Sequence, residues 1–507
     1  MMYPKQAIQR ERHQDMADMI SGAALQARGW TQGPLLGQAK KVGASLLRKG
    51  WEQETVLDTL DAVRMQPLSH EADPDLGPLA AAVLAALDRD KKAAARSSFA
   101  LRATPLPYHI WGREGIDDGA VAQMDLAMRL PSTVAGALMP DAHIGYGLPV
   151  GGAFALDNEI SPGAVGPDIG CSVYLTIFDA SPDILDDLQH AATLRRAISS
   201  GTVFGVGAQT DPRYRPDHAV LDDPAWHDTP LTRGLQAKGR EQLGQSGSGN
   251  HFCSVGAFEL FTETEGVPPG HYVVLASHSG SRGVGFKIAD AYGKRAEELH
   301  KDVGEAKKVA ALSLDEADGQ EYWAAMNLAL RYARANHEVI HARVGRLAGL
   351  HPLAFIGNPH NVASREMVAL PDGVGILAIV HRKGATPAHK GALGFIPGTM
   401  ADPGFLTSGL GVPAALHSAS HGAGRRLGRK QAIASIAKAD RDRYLAARKI
   451  TLLGGGMDEA PQAYKNIAEV MAAQADLVTV LGRFDPRIVR MADEEGSRRK
   501  PRPEEGE

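Results

Sequence analysis

Residues 166–171 read GPDIGC and lead directly into SVYLTIFDA (172–180), an apolar run of strand length. A second such run, YVVLASHSG (272–280), is likewise bounded by turn-forming residues. Between them and beyond lie helical patterns such as EYWAAMNLALRYARANHEVIHARVGRLAG (321–349). Short apolar strands, Gly/Pro-rich loops and interleaved helices define the α/β (α+β) class. The GPDIGC turn also places Asp168 three residues before Cys171. A buried cysteine taken alone is an inert core thiol more often than a ligand. An aspartate among Gly, Pro and Ile is costly to desolvate unless a cation or hydrogen bonds meet it, and a thiolate needs the same compensation. One shared metal would satisfy both.

Outward from this turn, four histidines occupy similar settings. His251 closes the Gly-rich SGSGNH (246–251), and His278 leaves YVVLAS just before Gly280 and Arg282. His360 lies in PHN (359–361) and His421 in SASHGAGRR (418–426). Each alone could be a hydrogen-bonded core or loop histidine. Together, neutral imidazoles supply nitrogen ligands, Asp168 an oxygen and Cys171 a sulfur able to bridge two ions, an inventory suited to a dinuclear centre. HGAGRRLGRK (421–430) sets a histidine and glycines before Arg425, Arg426, Arg429 and Lys430. It reads as a phosphate site at a helix start, or as a basic solvated helix face. No Walker sequence occurs, and GYGLPVGG (145–152) fails GxGxxG because Val150 holds the third glycine position.

The chain has 507 residues, 44% of them hydrophobic, and a formal net charge of −4. It can bury a large core and presents no global positive field, so a nucleic-acid partner would be met by a local patch. Cys171 and Cys253 are the only cysteines, too few for a disulfide scaffold, and a reducing cytoplasmic compartment is expected. The N-terminal MMYPKQAIQRERHQDM lacks a signal-peptide core, and LAAAVLAAL (79–87) is too short to span a bilayer, so export and membrane insertion are not expected. Helical spacing after Pro34, broken at Gly50 and resumed from Leu79 to Arg96, marks residues 1–100 as a helical accessory region. Residues 101–489 carry the chemistry, and the charged 490–507 reads as a disordered tail.

The ordered set MPDAHIGYGLPVGG, GPDIGC, SGSGNHF, HSGSRGVG, PHN, HRKGAT, PGTM, SHGAGR and AYKNI resembles the RtcB family of RNA ligases. The likeness extends from about Trp111 to Ile467 and leaves the N-terminal hundred residues outside. It implies one large α/β catalytic domain, GTP and two Mn²⁺ ions as cofactors, and an RNA substrate. The RNA would bear a 2′,3′-cyclic phosphate or 3′-phosphate at one end and a 5′-hydroxyl at the other. An activating partner protein would also be in keeping with the family. By the same resemblance Asp168 and His251 hold one ion, His278 and His360 the other, and Cys171 bridges them. Asn250 touches the nucleotide phosphate, His421 attacks the α-phosphorus of GTP, and Lys465 contacts guanine. Thr399, Met400, Gly422, Ala423, Gly424 and Arg425 complete the nucleotide site. Arg282, Arg382, Lys383, Arg425 and Arg426 are candidates for holding RNA phosphates, or else structural ion-pair partners.

The chain departs from the family at the expected base pocket. After GNHF the family carries a glutamate two residues on, where this chain has Cys253 and Ser254. The family's PGSMGTASY is here PGTMADPGF (397–405), and Pro387 follows HRKGAT where an arginine is usual. Metal and nucleophile positions are kept while base-reading positions change. Three functions stay open at this level: an RNA ligase, a metal-dependent phosphoesterase that opens cyclic phosphates without sealing, and a non-catalytic RNA-end-binding protein.

Overall fold

The structure, a computed structural model, describes residues 20–97, 100–205, 208, 210–212, 215–370 and 373–493. The chain divides into two compact units, Met1–Phe99 and Ala100–Glu507.

The described residues of the first unit are mostly helical. Helices Gly22–Ala27, Pro34–Arg48, Gln53–Met65 and Gly77–Ser97 follow one another. Pro34 occupies the first turn of its helix, where its missing N–H costs nothing. Val42, Leu46, Val56, Leu60, Val63, Leu79 and Val83 form its own buried core. Arg28 pins one side, its Nε donating to Asp61 Oδ2 at 2.7 Å, while Trp30 Nε1 donates to Asp61 Oδ1 at 2.8 Å.

The second unit is built on two large sheets. The eight-stranded sheet runs, edge to edge, Pro352–Pro359, Ser172–Phe178, Gly270–Ser279, Phe252–Leu260, Val478–Met491, Gly404–Gly409 and Leu393–Ile396, with Thr451–Gly454 pairing beside Val478–Met491. The five-stranded sheet runs His109–Ile110, Thr133–His143, Val150–Leu156, Gly375–Lys383 and Asn361–Ala369. Ser172–Phe178 is buried throughout, which is why it reads as a continuous apolar run and not as an alternating one. Helix Ala317–Ala348 buries Tyr322, Met326, Ala329, Tyr332, His337, Ile340 and Val344 at helical spacing and ends on Gly349, whose φ of +69° suits a left-handed cap. Among the described residues, no helix is long and apolar enough to cross a membrane.

Two local expectations change. The helix expected from His421 begins only at Arg429 and ends at Ser435, so residues 421–428 form a loop. Gly422, Gly424 and Gly428 disfavour helix, and Gly424 takes a φ of +72° that a helix cannot use. Arg490 and Met491, expected in the charged tail, instead pair with Cys253 and Phe252 in the sheet. Residues 494–507 lie outside the described residues, as do residues 1–19.

Candidate active site

The GPDIGC turn follows a four-residue helix, Pro162–Val165, and enters strand Ser172–Phe178. Gly166 and Gly170 take φ values of +89° and +71°, and Cys171 N–H donates to Asp168 O at 3.1 Å, which closes the turn. His278 lies opposite both Val173 and Phe252 in the register of the neighbouring strands, which brings it beside Cys171 and His251. His360 joins from the end of strand Pro352–Pro359, its N–H donating to Cys171 O at 2.8 Å. A Cβ at Gly280 would collide with Asp168 Oδ1, so that position must be bare.

The result is a chain of donors. Asp168 Oδ2 lies 3.0 Å from His251 Nε2, Cys171 Sγ 3.3 Å from His251 Nε2 and 3.0 Å from His278 Nε2, and His278 Nε2 3.2 Å from His360 Nε2. Cys171, His251, His278 and His360 are each 4% exposed. His251 Nδ1–H donates to Ser246 O at 2.8 Å and His278 Nδ1–H to Asn250 O at 3.2 Å, so both Nε2 lone pairs face the cluster. Carboxylate, sulfur and imidazole lone pairs in contact repel unless a proton or a cation lies among them. Burial, then the Asp168 charge, pushes the Cys171 thiol up, and burial holds His278 and His360 far below the usual histidine range. Burial also opposes ionisation of Asp168, but its contact with His251 outweighs burial and keeps the carboxyl below its ordinary range. This oxygen, sulfur and nitrogen set fits divalent cations, and Cys171, His251 and His278 alone bring three ligand atoms within 4.8 Å of one another.

His421 faces the cluster, its ring centroid 4.8 Å from that of His360. Asp141 accepts both His421 Nδ1–H, at 2.7 Å, and the His421 backbone N–H, at 3.1 Å. This fixes the tautomer and leaves the Nε2 lone pair free. Asp141 is fully buried; desolvation pushes its pKa up, yet the charge and hydrogen bond of His421, with Lys465 and His143, hold it below the usual carboxylate range. Sequence reading missed Asp141, although it is the only acid in GALMPDAHIGYG (136–147) and so stood without a local partner. Lys465, expected at guanine, is not among the lining residues of the cavity. Its Nζ donates to Pro140 O at 2.9 Å and Ala142 O at 2.7 Å and clamps the backbone on both sides of Asp141.

Donor cluster and His421 open on one cavity of about 760 Å³. Asn250, Thr399, Met400, Gly422, Ala423, Gly424 and Arg425 all line it. Phe252, Phe395, Phe484, Val489 and Met491 are among its apolar lining, and Ser254 lines the same cavity with a buried Oγ that has no hydrogen-bond partner. Two acids of the lining are engaged: Asp402 with Thr399 Oγ1 and Tyr444 at 2.6 Å each, Glu459 with Arg425, Arg429 and Tyr464.

The expected phosphate-holding cations are less uniform than their sequence. Arg382, for which an RNA contact and a structural ion pair were both open, is fully buried, grips Glu366 through two nitrogens at 2.6 and 2.9 Å, and lines a different cavity. Arg425 is held by Glu459 at 3.1 Å and by Asp458 O at 2.6 Å. Arg282 stands behind the cluster with Nη1 3.1 Å from His251 Nδ1. Lys383 and Arg426 line the cavity without an ion pair among the described residues. Lys383 Nζ donates to Tyr146 O and to Gly163 O, and burial pulls its pKa down to about 7.

On this α/β scaffold, a cluster of side chains that could hold a metal ion faces a histidine oriented by a buried carboxylate. Comparison supplies the family. Residues 123–492 match the family described as tRNA-splicing ligase RtcB, and the chain belongs to it. It is 32% identical to the RNA-splicing ligase RtcB of Mycobacterium tuberculosis, over 70% of this chain and 97% of that protein. It is 30% identical to the tRNA-splicing ligase RtcB of Nanoarchaeum equitans, over 69% of this chain and 87% of that protein, and equally to the Escherichia coli K12 protein over 68% and 87%.

Proposed function

We propose that this chain is an RNA ligase joining a 2′,3′-cyclic phosphate or 3′-phosphate end to a 5′-hydroxyl end, through a GMP carried on His421. The observation that carries the reading is His421 itself: Nδ1 is tied to a buried carboxylate at 2.7 Å, Nε2 is free, and the ring packs 4.8 Å from a metal-type ligand. A phosphoesterase or an RNA-binding protein needs no such oriented nucleophile. The curated relatives' names, RNA-splicing and tRNA-splicing ligase, support the RNA substrate.

In this reading His421 Nε2 attacks the α-phosphorus of GTP, a P–N bond forms, and pyrophosphate leaves. Asp141 stabilises the imidazolium that develops and keeps the ring turned toward the cavity. A 2′,3′-cyclic phosphate is first opened by water, which adds to phosphorus as the 2′-oxygen leaves as a hydroxyl; an RNA 3′-phosphate oxygen then displaces His421, and the 5′-hydroxyl attacks the activated 3′-phosphorus with GMP as the leaving group. Asp168 and His251 would hold one divalent cation and His278 and His360 another, with Cys171 between them, an order that matches the observed chain of contacts. Such ions, Mn²⁺ by family likeness, would supply Lewis-acid neutralisation of phosphoryl charge. Asn250 and Lys383, at the cavity wall, hold phosphate oxygens. The place of action is the cytoplasm, in keeping with two free, buried cysteines.

The test is an RNA-joining assay with defined ends, GTP and Mn²⁺. Wild type joins 3′-phosphate ends to 5′-hydroxyl ends, and His421→Ala does not, yet His421→Ala still seals RNA pre-activated with a 3′-pp-5′-G end. A wild type that opens cyclic phosphates but never joins ends is a phosphoesterase, and the ligase reading fails.

A further inference from the structure

His278 and Ser277 are neighbours in strand Gly270–Ser279 and so point to opposite faces of the eight-stranded sheet. Ser277 meets helix Ala317–Ala348, where it lies 2.7 Å from His337 Nδ1 and 2.7 Å from His341 Nε2. His341 Nδ1 is 2.7 Å from Thr176 Oγ1, and His337 Nε2 is 3.2 Å from Ser279 O. Thr176, Ser277, His337 and His341 are all buried.

Donor and acceptor roles in this network follow from one fixed end. A carbonyl only accepts, so His337 Nε2 carries a proton and its Nδ1 accepts from Ser277 Oγ–H. Ser277 Oγ then accepts from His341 Nε2–H, which leaves His341 Nδ1 to accept from Thr176 Oγ1–H. Every link is satisfied, all in one direction, with both rings neutral; burial pulls His337 down to about 3 and His341 far below its ordinary range. Beside it Asn336 donates to Ser279 Oγ at 2.9 Å, and Ser279 Oγ–H donates to Ser246 O at 2.9 Å, the same carbonyl that fixes the His251 tautomer. The residues on both sides of His278 are therefore anchored to one helix.

We propose that His337 and His341 are positioning residues for the donor cluster, holding through the shared Ser277 hydroxyl the strand end that presents His278 to a divalent cation. The proposal rests on the metal-site reading above. A ligand strand fixed in advance loses little freedom when an ion binds, and outer partners of metal ligands commonly govern affinity by about 10- to 100-fold.

The experiment compares Ser277→Thr with Ser277→Val in the full chain, because the two side chains share a shape and differ in the hydroxyl. Mn²⁺ and Co²⁺ affinity is read by calorimetry, with melting temperature and circular dichroism alongside. Ser277→Thr stays near wild type, whereas Ser277→Val binds metal about 10- to 100-fold more weakly with its secondary structure intact. Thr176→Val, at the far end of the network and also isosteric, weakens binding in the same direction and serves if Ser277→Val does not fold. Imidazole ¹⁵N shifts of the metal-free wild type identify His337 and His341 as Nε2–H tautomers. Equal affinity of the Thr and Val variants, with only the melting temperature lowered, or an Nδ1–H tautomer at either ring, overturns the proposal. A wild type that binds neither ion overturns it together with the metal-site reading.

Discussion

Replacing Asp141 by Asn keeps the shape of the group that orients His421 and removes its charge. Both His421 donors, Nδ1–H and the backbone N–H, converge on Asp141 Oδ2, and the buried Oδ1 has no partner. The Asn amide oxygen therefore takes the Oδ2 position, because an amide NH₂ placed there would face two N–H donors, and the Nδ1–H tautomer is kept. What is lost is the negative charge that would stabilise an imidazolium formed as Nε2 attacks. A hydrogen bond to a charged group contributes about 1.5–3 kcal/mol, so we expect Asp141→Asn to slow nucleotide transfer to His421 by roughly 10- to 150-fold. The assay is single-turnover formation of the protein–nucleotide adduct, with metal content measured on the same samples. Adduct formation within threefold of wild type at full metal content would refute the claim that the Asp141 charge assists His421.

Three further outcomes follow from the same geometry. Asp168→Ala and Cys171→Ala should retain the fold but lose bound divalent metal and activity; wild-type metal stoichiometry in both by elemental analysis would count against the cluster. With Ser254 on the cavity wall and the carboxylates of Asp402 and Glu459 engaged by other side chains, GTP and ATP should compete on nearly equal terms. Ser254→Glu should favour GTP by about 1–3 kcal/mol, and strong exclusion of ATP by wild type would contradict this. His143, His337 and His381 are buried neutral, with burial pulling them down to about 4, 3 and 3. Below pH 6.5 the unfolded chain gains protons that the folded chain refuses, so stability falls with pH at up to about 4 kcal/mol per unit for three such groups. A melting temperature of the metal-free protein that does not change between pH 6.5 and 5 would show this expectation to be wrong.

Much of the site is legible in the sequence because its chemistry is concentrated in short turns. GPDIGC, SGSGNH and SHSG each carry a donor next to glycines, and the apolar runs beside them become the strands that bring Cys171, His251 and His278 together. What stays hidden depends on long-range partners. Asp141 acquires its meaning only by meeting His421, 280 residues away. Arg425 and Arg429 look like a free phosphate patch until Asp458 and Glu459 fold back on them, and Arg382 looks like an RNA contact until Glu366 claims it. Lys465 is a cation whose carbonyl partners lie more than 320 residues earlier. The loop at 421–428 reads as a helix start because its charges suit one, while its glycines do not.

The central claim is that His421 carries the nucleotide. The direct measurement is incubation of the Mn²⁺-loaded protein with α-labelled GTP, followed by denaturing electrophoresis, acid treatment and mass-spectrometric mapping of the adduct. We predict one GMP per chain, labile to acid as a histidine phosphoramidate, located on His421 and missing from His421→Ala. An adduct on any other residue, or none in wild type at full metal content, would contradict the account.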